Sequence, residues 1–234
     1  LNGGPFQSYE KVFGFEVFQG VAYIAAEYDS YINLYAYNLS TDWFVDSTSF
    51  LCEPNKTEFR SMAVNSNGVF LTYDTISGVE IKRFPLNIND VANPPISQNF
   101  TTDYFFTSPT MAKLRCFNDR IFLVTVDGNV KLNEINPNNL MKAGGESTFD
   151  SGSFIAPNKS ADITFDPLTD TIYLTYLEDH ASPTDPYPTH VLGFNIYTIT
   201  VPDPTVVKNF TMPSTTTAIS GLYAANNKIY LSFE

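Results

Sequence analysis

Only two histidines, two cysteines and one tryptophan occur among the 234 residues, and acidic side chains outnumber basic ones 25 to 13. Each shortage removes a class of function. His180 and His190 are the only imidazoles, and no Gly-x-Ser-x-Gly, His-Glu-x-x-His, Gly-x-Gly-x-x-Gly or phosphate-loop sequence is present. The usual local signatures of nucleophilic, zinc-hydrolytic and nucleotide chemistry are therefore missing. The formal charge is −12, and the basic residues are scattered singly apart from Lys82 and Arg83. Such a field repels phosphate, which speaks against nucleic acid and anionic membrane surfaces as partners. No apolar run approaches the roughly 20 residues of a bilayer-spanning helix, so no membrane insertion is expected. Cys52 and Cys116 allow either one disulfide or two core thiols, and the sequence does not choose between them.

What the chain has in quantity is aromatic and aliphatic side chains, with 20 Phe, 14 Tyr and 43% hydrophobic residues overall. This composition suits pleated, half-buried surfaces and a folded core. Five stretches resemble one another: "VAYIAAEYDSYINLYAYNLS", "GVFLTYDTISGVEIKRFPLN", "RIFLVTVDGNVKLNEINPNN", "TIYLTYLEDH" and "KIYLSFE". Each carries an aromatic followed by an aliphatic residue, at Tyr23-Ile24, Phe70-Leu71, Phe122-Leu123, Tyr173-Leu174 and Tyr230-Leu231. The aromatic recurs at intervals of 47, 52, 51 and 57 residues. Eight residues before each stands an apolar residue: Phe15, Met62, Leu114, Phe165 and Leu222. Between the two positions lie turn-forming segments such as "NSNG" and "DPLTD", so each unit opens as strand, turn, strand. Asp127-Gly128 and Ser77-Gly78 mark a second hairpin, followed by a third strand whose alternation predicts one wet face. "WFVDSTSF" is a candidate fourth strand, and no amphipathic helix is evident.

A repeat of about 50 residues is the length of one four-stranded propeller blade. On these residues the chain resembles β-propeller repeat proteins in general, over nearly its whole length. No particular family among them is matched, because Asp42-Trp43 occurs once and Gly144-Gly145 stands alone. The expectation is an all-β, β-propeller-like fold of about five blades of four-stranded antiparallel sheet, with a β-sandwich as the alternative. One domain would span 1–234, with blade units at 11–56, 57–107, 108–158, 159–212 and 213–234. The last unit is incomplete, and its missing strands would come from the N-terminal segment, from further chain or from another copy.

The functional expectation follows from that shortage of strands and of chemistry. It is a non-catalytic extracellular structural or interaction module, a glycosylated subunit of a surface filament or coat, with self-assembly or other extracellular proteins as partners. A start at Leu1 without Met fits a processed or fragmentary secreted chain. The alternatives are a calcium-dependent, lactonase-like hydrolase of propeller fold and a carbohydrate-binding propeller. No cofactor is expected beyond Ca2+ in the hydrolase case. Its ligands would come from the loop "LEDHASPTDPYPTH", where Glu178, Asp179, His180, Asp185 and His190 supply oxygen and imidazole donors. A second acidic set, Asp74, Asp127 and Glu178, lies shortly after the repeated aromatic in three units. The aromatics themselves could line a sugar surface, or simply form a buried layer. Sequons for N-glycosylation occur at Asn38, Asn55, Asn99, Asn158 and Asn209. Their number is close to chance for a chain so rich in Asn, Ser and Thr, but each lies near the end of an apolar run or in a polar stretch, where a glycan fits.

Overall fold

The structure is a computed structural model that describes residues 10–52, 60–75, 78–99, 111–126, 129–143, 149–151, 161–178, 187–196, 205–212, 218–225 and 228–233. Among these residues there is no helix, and the strands form five antiparallel sheets. The first sheet holds β1 (Lys11–Phe18), β2 (Val21–Tyr28), β3 (Tyr31–Asn38) and β4 (Trp43–Leu51). The second holds β5 (Ser61–Asn65), β6 (Gly68–Thr75), β7 (Gly78–Phe84) and β8 (Ile96–Asn99). The third is β9 (Met111–Phe117), β10 (Arg120–Val126), β11 (Val130–Ile135) and β12 (Phe149–Asp150). The fourth is β13 (Ala161–Asp166), β14 (Thr171–Leu177), β15 (Tyr187–Asn195) and β16 (Thr205–Met212). The last described sheet pairs only β17 (Ile219–Ala225) with β18 (Lys228–Phe233). Strands lie side by side in chain order in every sheet. The fold is thus all-β, and among the described residues it shows four four-stranded propeller-like blades and a further pair of strands.

Turn chemistry sets the register. Gln19 and Gly20 have φ of 50° and 78°, and Asn118 and Asp119 have 47° and 60°. Two successive left-handed residues make the tight loop whose twist matches the flanking strands. The repeated apolar positions then face one another across the first hairpin: Phe15 opposite Ile24, Met62 opposite Leu71, Leu222 opposite Leu231. The fourth sheet departs from the eight-residue rule. Its longer loop, residues 167–170, places Ile163 rather than Phe165 opposite Leu174.

The chain divides into two compact units, residues 1–107, 112–121 and 135–141, and residues 108–111, 122–134 and 142–234. In the first unit, Tyr23, Ile32 and Leu34 pack with Met62, Leu71 and Phe84 into a core shared by the first two sheets. A second cluster, built on Ile24, Tyr35 and Tyr37, covers the other face of the first sheet. Strand β2 is therefore buried on both faces from Ala22 to Glu27. A strand covered on both sides needs an almost continuous apolar run. The wet face expected of the third strands is missing from β3, where Ile32 and Leu34 to Tyr37 are buried, whereas along β7 Glu80 and Lys82 alternate with buried Val79 and Ile81. In the second unit Leu177 and Met212 of the fourth sheet pack with Ile219 of β17, and Phe149 meets Phe194 edge to face at 5.5 Å.

Close backbone approach fixes Gly68. Its φ is 142°, and a Cβ there would lie 2.2 Å from the carbonyl oxygen of Phe84. Gly68→Ala is expected to cost about 2 kcal/mol or more, from strain and overpacking combined, read as a lowered denaturant midpoint at unchanged slope.

Candidate functional site

Of the loop read as a metal site, the structure describes both ends. Glu178 follows β14, and the strand β15 starts at Tyr187, so His190 sits within a strand rather than in a loop. The Glu178 backbone amide donates to the carbonyl of Pro188 at 2.8 Å, which closes this end of the hairpin. His190 Nε2 lies 2.7 Å from Glu178 Oε2, its Nδ1 lies 3.1 Å from Asn209 Oδ1, and its ring stacks on Tyr176 at 4.9 Å. Asp179, His180 and Asp185 lie outside the described residues, as do Asn55, Asn158, Asp127 and Gly128. Among the described residues no three His, Cys, Asp or Glu side chains gather as a metal site would require.

Of the second acidic set, Asp74 is withdrawn from solvent, Glu178 is partly exposed beside His190, and Asp127 lies outside the described residues. Asp74 is 4% exposed and binds Arg60 Nη1, while Arg60 Nε lies 3.5 Å from Glu27 Oε2. The guanidinium is thus held between a carboxylate of β2 and one of β6. Cys52 belongs to the same surroundings; burial pushes its thiol up to about 11, against the pull of Arg60. Burial likewise raises Cys116 to about 11, chiefly among Asp119, Asn65 and Glu16. The two are free thiols in different settings, not the disulfide left open by the sequence. Neither is a ready nucleophile, since the thiolate is the reactive form.

Three of the five repeated aromatics are packing residues of the second strands: Tyr23, Phe70 and Phe122 are buried at 2%, 0% and 0% exposure, and Tyr23 spends its hydroxyl on the carbonyl of Leu86. Tyr173 is half-buried, and Tyr230 is exposed beside Tyr223.

A concave feature of the first unit lies along the opening strands β1, β5 and β9. It is a cleft of about 320 Å³, lined by Phe13 to Glu16, Arg60 to Met62, Lys113 and Arg115. Two devices bring these strands together. A Cβ on Gly14 would sit 2.8 Å from Met62 Cβ, so glycine is what lets β1 approach β5. The Ser61 hydroxyl accepts from the Leu114 amide at 2.9 Å and donates to the Leu114 carbonyl at 3.2 Å, tying β5 to β9. Arg115 Nη1 donates to that same carbonyl at 3.0 Å. Glu16 is the carboxylate of this lining. It touches water at the cleft mouth, but the surrounding walls raise its pKa above 4.5, with Arg115 opposing the rise. A carboxyl biased toward its acid form, beside two cations and the exposed ring of Phe15, can bind polar ligands and move a proton.

No protein-family model matches the sequence, and no curated protein matches it. The chain is similar to solved structures of other proteins. One is a Bacteroides ovatus xyloglucan PUL GH43B protein, at 10% identity over 85% of this chain, with a TM-score of 0.40. Another is an α-L-arabinofuranosidase from Clostridium thermocellum, at 12% identity, 97% of this chain and 83% of that one, TM-score 0.45. A third is the WD40 β-propeller domain of Doa1, at 8% identity, 95% and 76% coverage, TM-score 0.42. The fold is that of the β-propellers. At such identities the likeness extends to fold alone, and this chain spans 40% of the length of the first of the three. The glycosidase among them runs against the expectation of a non-catalytic filament or coat subunit, and against that of a chain without enzymatic activity; both are corrected on this finding.

The buried charges give a stability test. Arg60→Met deprives Glu27 and Asp74 of their guanidinium and is expected to cost about 3–5 kcal/mol, whereas replacing all three by apolar residues should restore much of the loss. Chemical denaturation of the two variants measures both.

Proposed function

We propose that this chain is a carbohydrate-active propeller domain whose ligand occupies the cleft along β1, β5 and β9, with Glu16 as its proton-donating group. The observation that carries this reading is the cleft with Glu16 at its mouth, a carboxyl whose pKa is raised by partial burial against the pull of Arg115, with an aromatic ring at the rim. Phe15 is 59% exposed, and an exposed ring is a platform for the apolar face of a sugar. Lys113 and Arg115 provide cationic partners for sugar hydroxyls or carboxylates. Cleavage of a glycosidic bond needs an acid to protonate the leaving oxygen, and a carboxyl with a raised pKa fills that role.

Calorimetry against a panel of neutral and acidic oligosaccharides, paired with an assay for released reducing ends, tests the reading. Glu16→Gln should abolish release while retaining binding, and Phe15→Ala should weaken binding. A wild-type chain that binds no saccharide would overturn it. Activity that depends on the acid form of Glu16 should fall as pH rises through its raised pKa, and Glu16→Gln should lack that limb. The same shift bears on stability. The folded chain holds this proton more tightly than the unfolded one, so stability declines as pH climbs from about 4.5 through the raised value;. Contact with water at the cleft mouth keeps the effect small. Thermal melts of Glu16→Gln across that interval should show a flatter profile than wild type.

A further inference from the structure

Asn38 ends β3, and Trp43 begins β4; the two are direct cross-strand partners that close a four-residue loop. Directly opposed residues project to the same face with Cβ atoms about 5 Å apart. Trp43 is the single tryptophan of the chain and is 73% exposed, with Leu39 at 48% beside it. A large indole left in water next to a sequon asks for an occupant. The side chain of Asn38 is already fixed in the form of an Asx turn. Its Oδ1 accepts from Ser40 N at 2.9 Å, Ser40 Oγ at 2.7 Å and Thr41 N at 3.3 Å. With the oxygen held by the two residues that follow Leu39, the amide nitrogen lies on the opposite limb of the carboxamide, away from these donors. The residues from Leu39 to Trp43 are all exposed, so the site is open among the described residues.

We propose that Asn38 carries an N-linked glycan whose first sugar ring packs on Trp43. The donor is a lipid-pyrophosphate-linked oligosaccharide. Asn38 Nδ2 forms a bond to the anomeric carbon of its first N-acetylhexosamine, the bond from that carbon to the pyrophosphate oxygen breaks, the lipid pyrophosphate leaves with the electron pair, and Nδ2 gives up one proton. No oxidation or reduction is involved. The hydrogen bonds that shape Asn38 span only two and three residues, so they form locally and do not require the finished sheet. Once the ring is attached, the opposed position of Trp43 lets its apolar face cover the indole. Asn209 contrasts with this geometry. It lies in the middle of β16 with its Oδ1 on His190, and no Asx turn is formed there.

The full chain, secreted from a eukaryotic host, should yield an Asn38-containing peptide bearing hexosamine by mass spectrometry. Asn38→Gln and Ser40→Ala should each remove that glycopeptide and leave glycopeptides from other sequons unchanged. Because Trp43 is the only tryptophan, its fluorescence reports the packing directly. Enzymatic removal of the glycan from the folded wild-type protein should shift the emission to the red and increase quenching by acrylamide. An unmodified Asn38, with or without sugar at other sequons, overturns the proposal. An occupied Asn38 whose removal leaves the Trp43 emission unchanged overturns the packing on the indole.

Discussion

The first unit depends on one guanidinium. Arg60 precedes β5, yet its side chain is buried against Glu27 of β2 and Asp74 of β6, so one residue joins the first two sheets and also reaches the cleft wall. Buried ionic contacts of this kind add little net stability over an apolar replacement, because removing two charges from water costs about as much as their attraction returns. What the arrangement contributes is position. Carboxylates on two different sheets fix where Arg60 sits, and Arg60 is followed at once by Ser61 and Met62, which tie β5 to β9 and to β1. The cleft therefore inherits its shape from a charge network behind it, with Glu16 at its mouth.

The blades were legible because their spacing is covalent. A tight turn of two residues fixes how far the apolar position of a first strand stands from the aromatic of the second, and this distance survives in the sequence wherever the turn keeps its length. It fails at Phe165, where the loop is two residues longer and the true partner of Leu174 is Ile163. The two-sided burial of β2 was harder to see, since alternation is judged within a strand while covering comes from other sheets. Polar side chains caught in that burial show its cost. Thr175 and Thr72 both stand two residues after the repeated aromatic. Thr175 donates to the carbonyl of His190, whereas among the described residues Thr72 Oγ1 and both amide atoms of Asn133 have no hydrogen-bond partner. Such groups cost about 1–3 kcal/mol each when left unsatisfied.

The cleft residues were written in the sequence beside the very positions used to find the repeat. Glu16 follows Phe15, Ser61 precedes Met62, and Lys113 and Arg115 flank Leu114. The lining is thus continuous with the repeated apolar positions along the first strands, and no separate motif marks it. Residues 177–190 are dense in ionisable side chains, but composition does not show that His190 is taken up by β15, where Glu178 and Asn209 hold its ring over Tyr176.

Asp74 shows why the same residue type reads differently at two places. It lies four residues after the repeated aromatic Phe70, as Glu27 does after Tyr23, so the repeat itself brings these two carboxylates to equivalent points on second strands. Equivalent points on adjacent sheets are brought to a common neighbour, and like charges there cannot share a buried site without a cation between them. Arg60 meets that demand. The acidic residues at this step of the repeat are thus spent on holding sheets, and Glu16 on the first strand is left at the cleft, where the wall is close enough to raise its pKa.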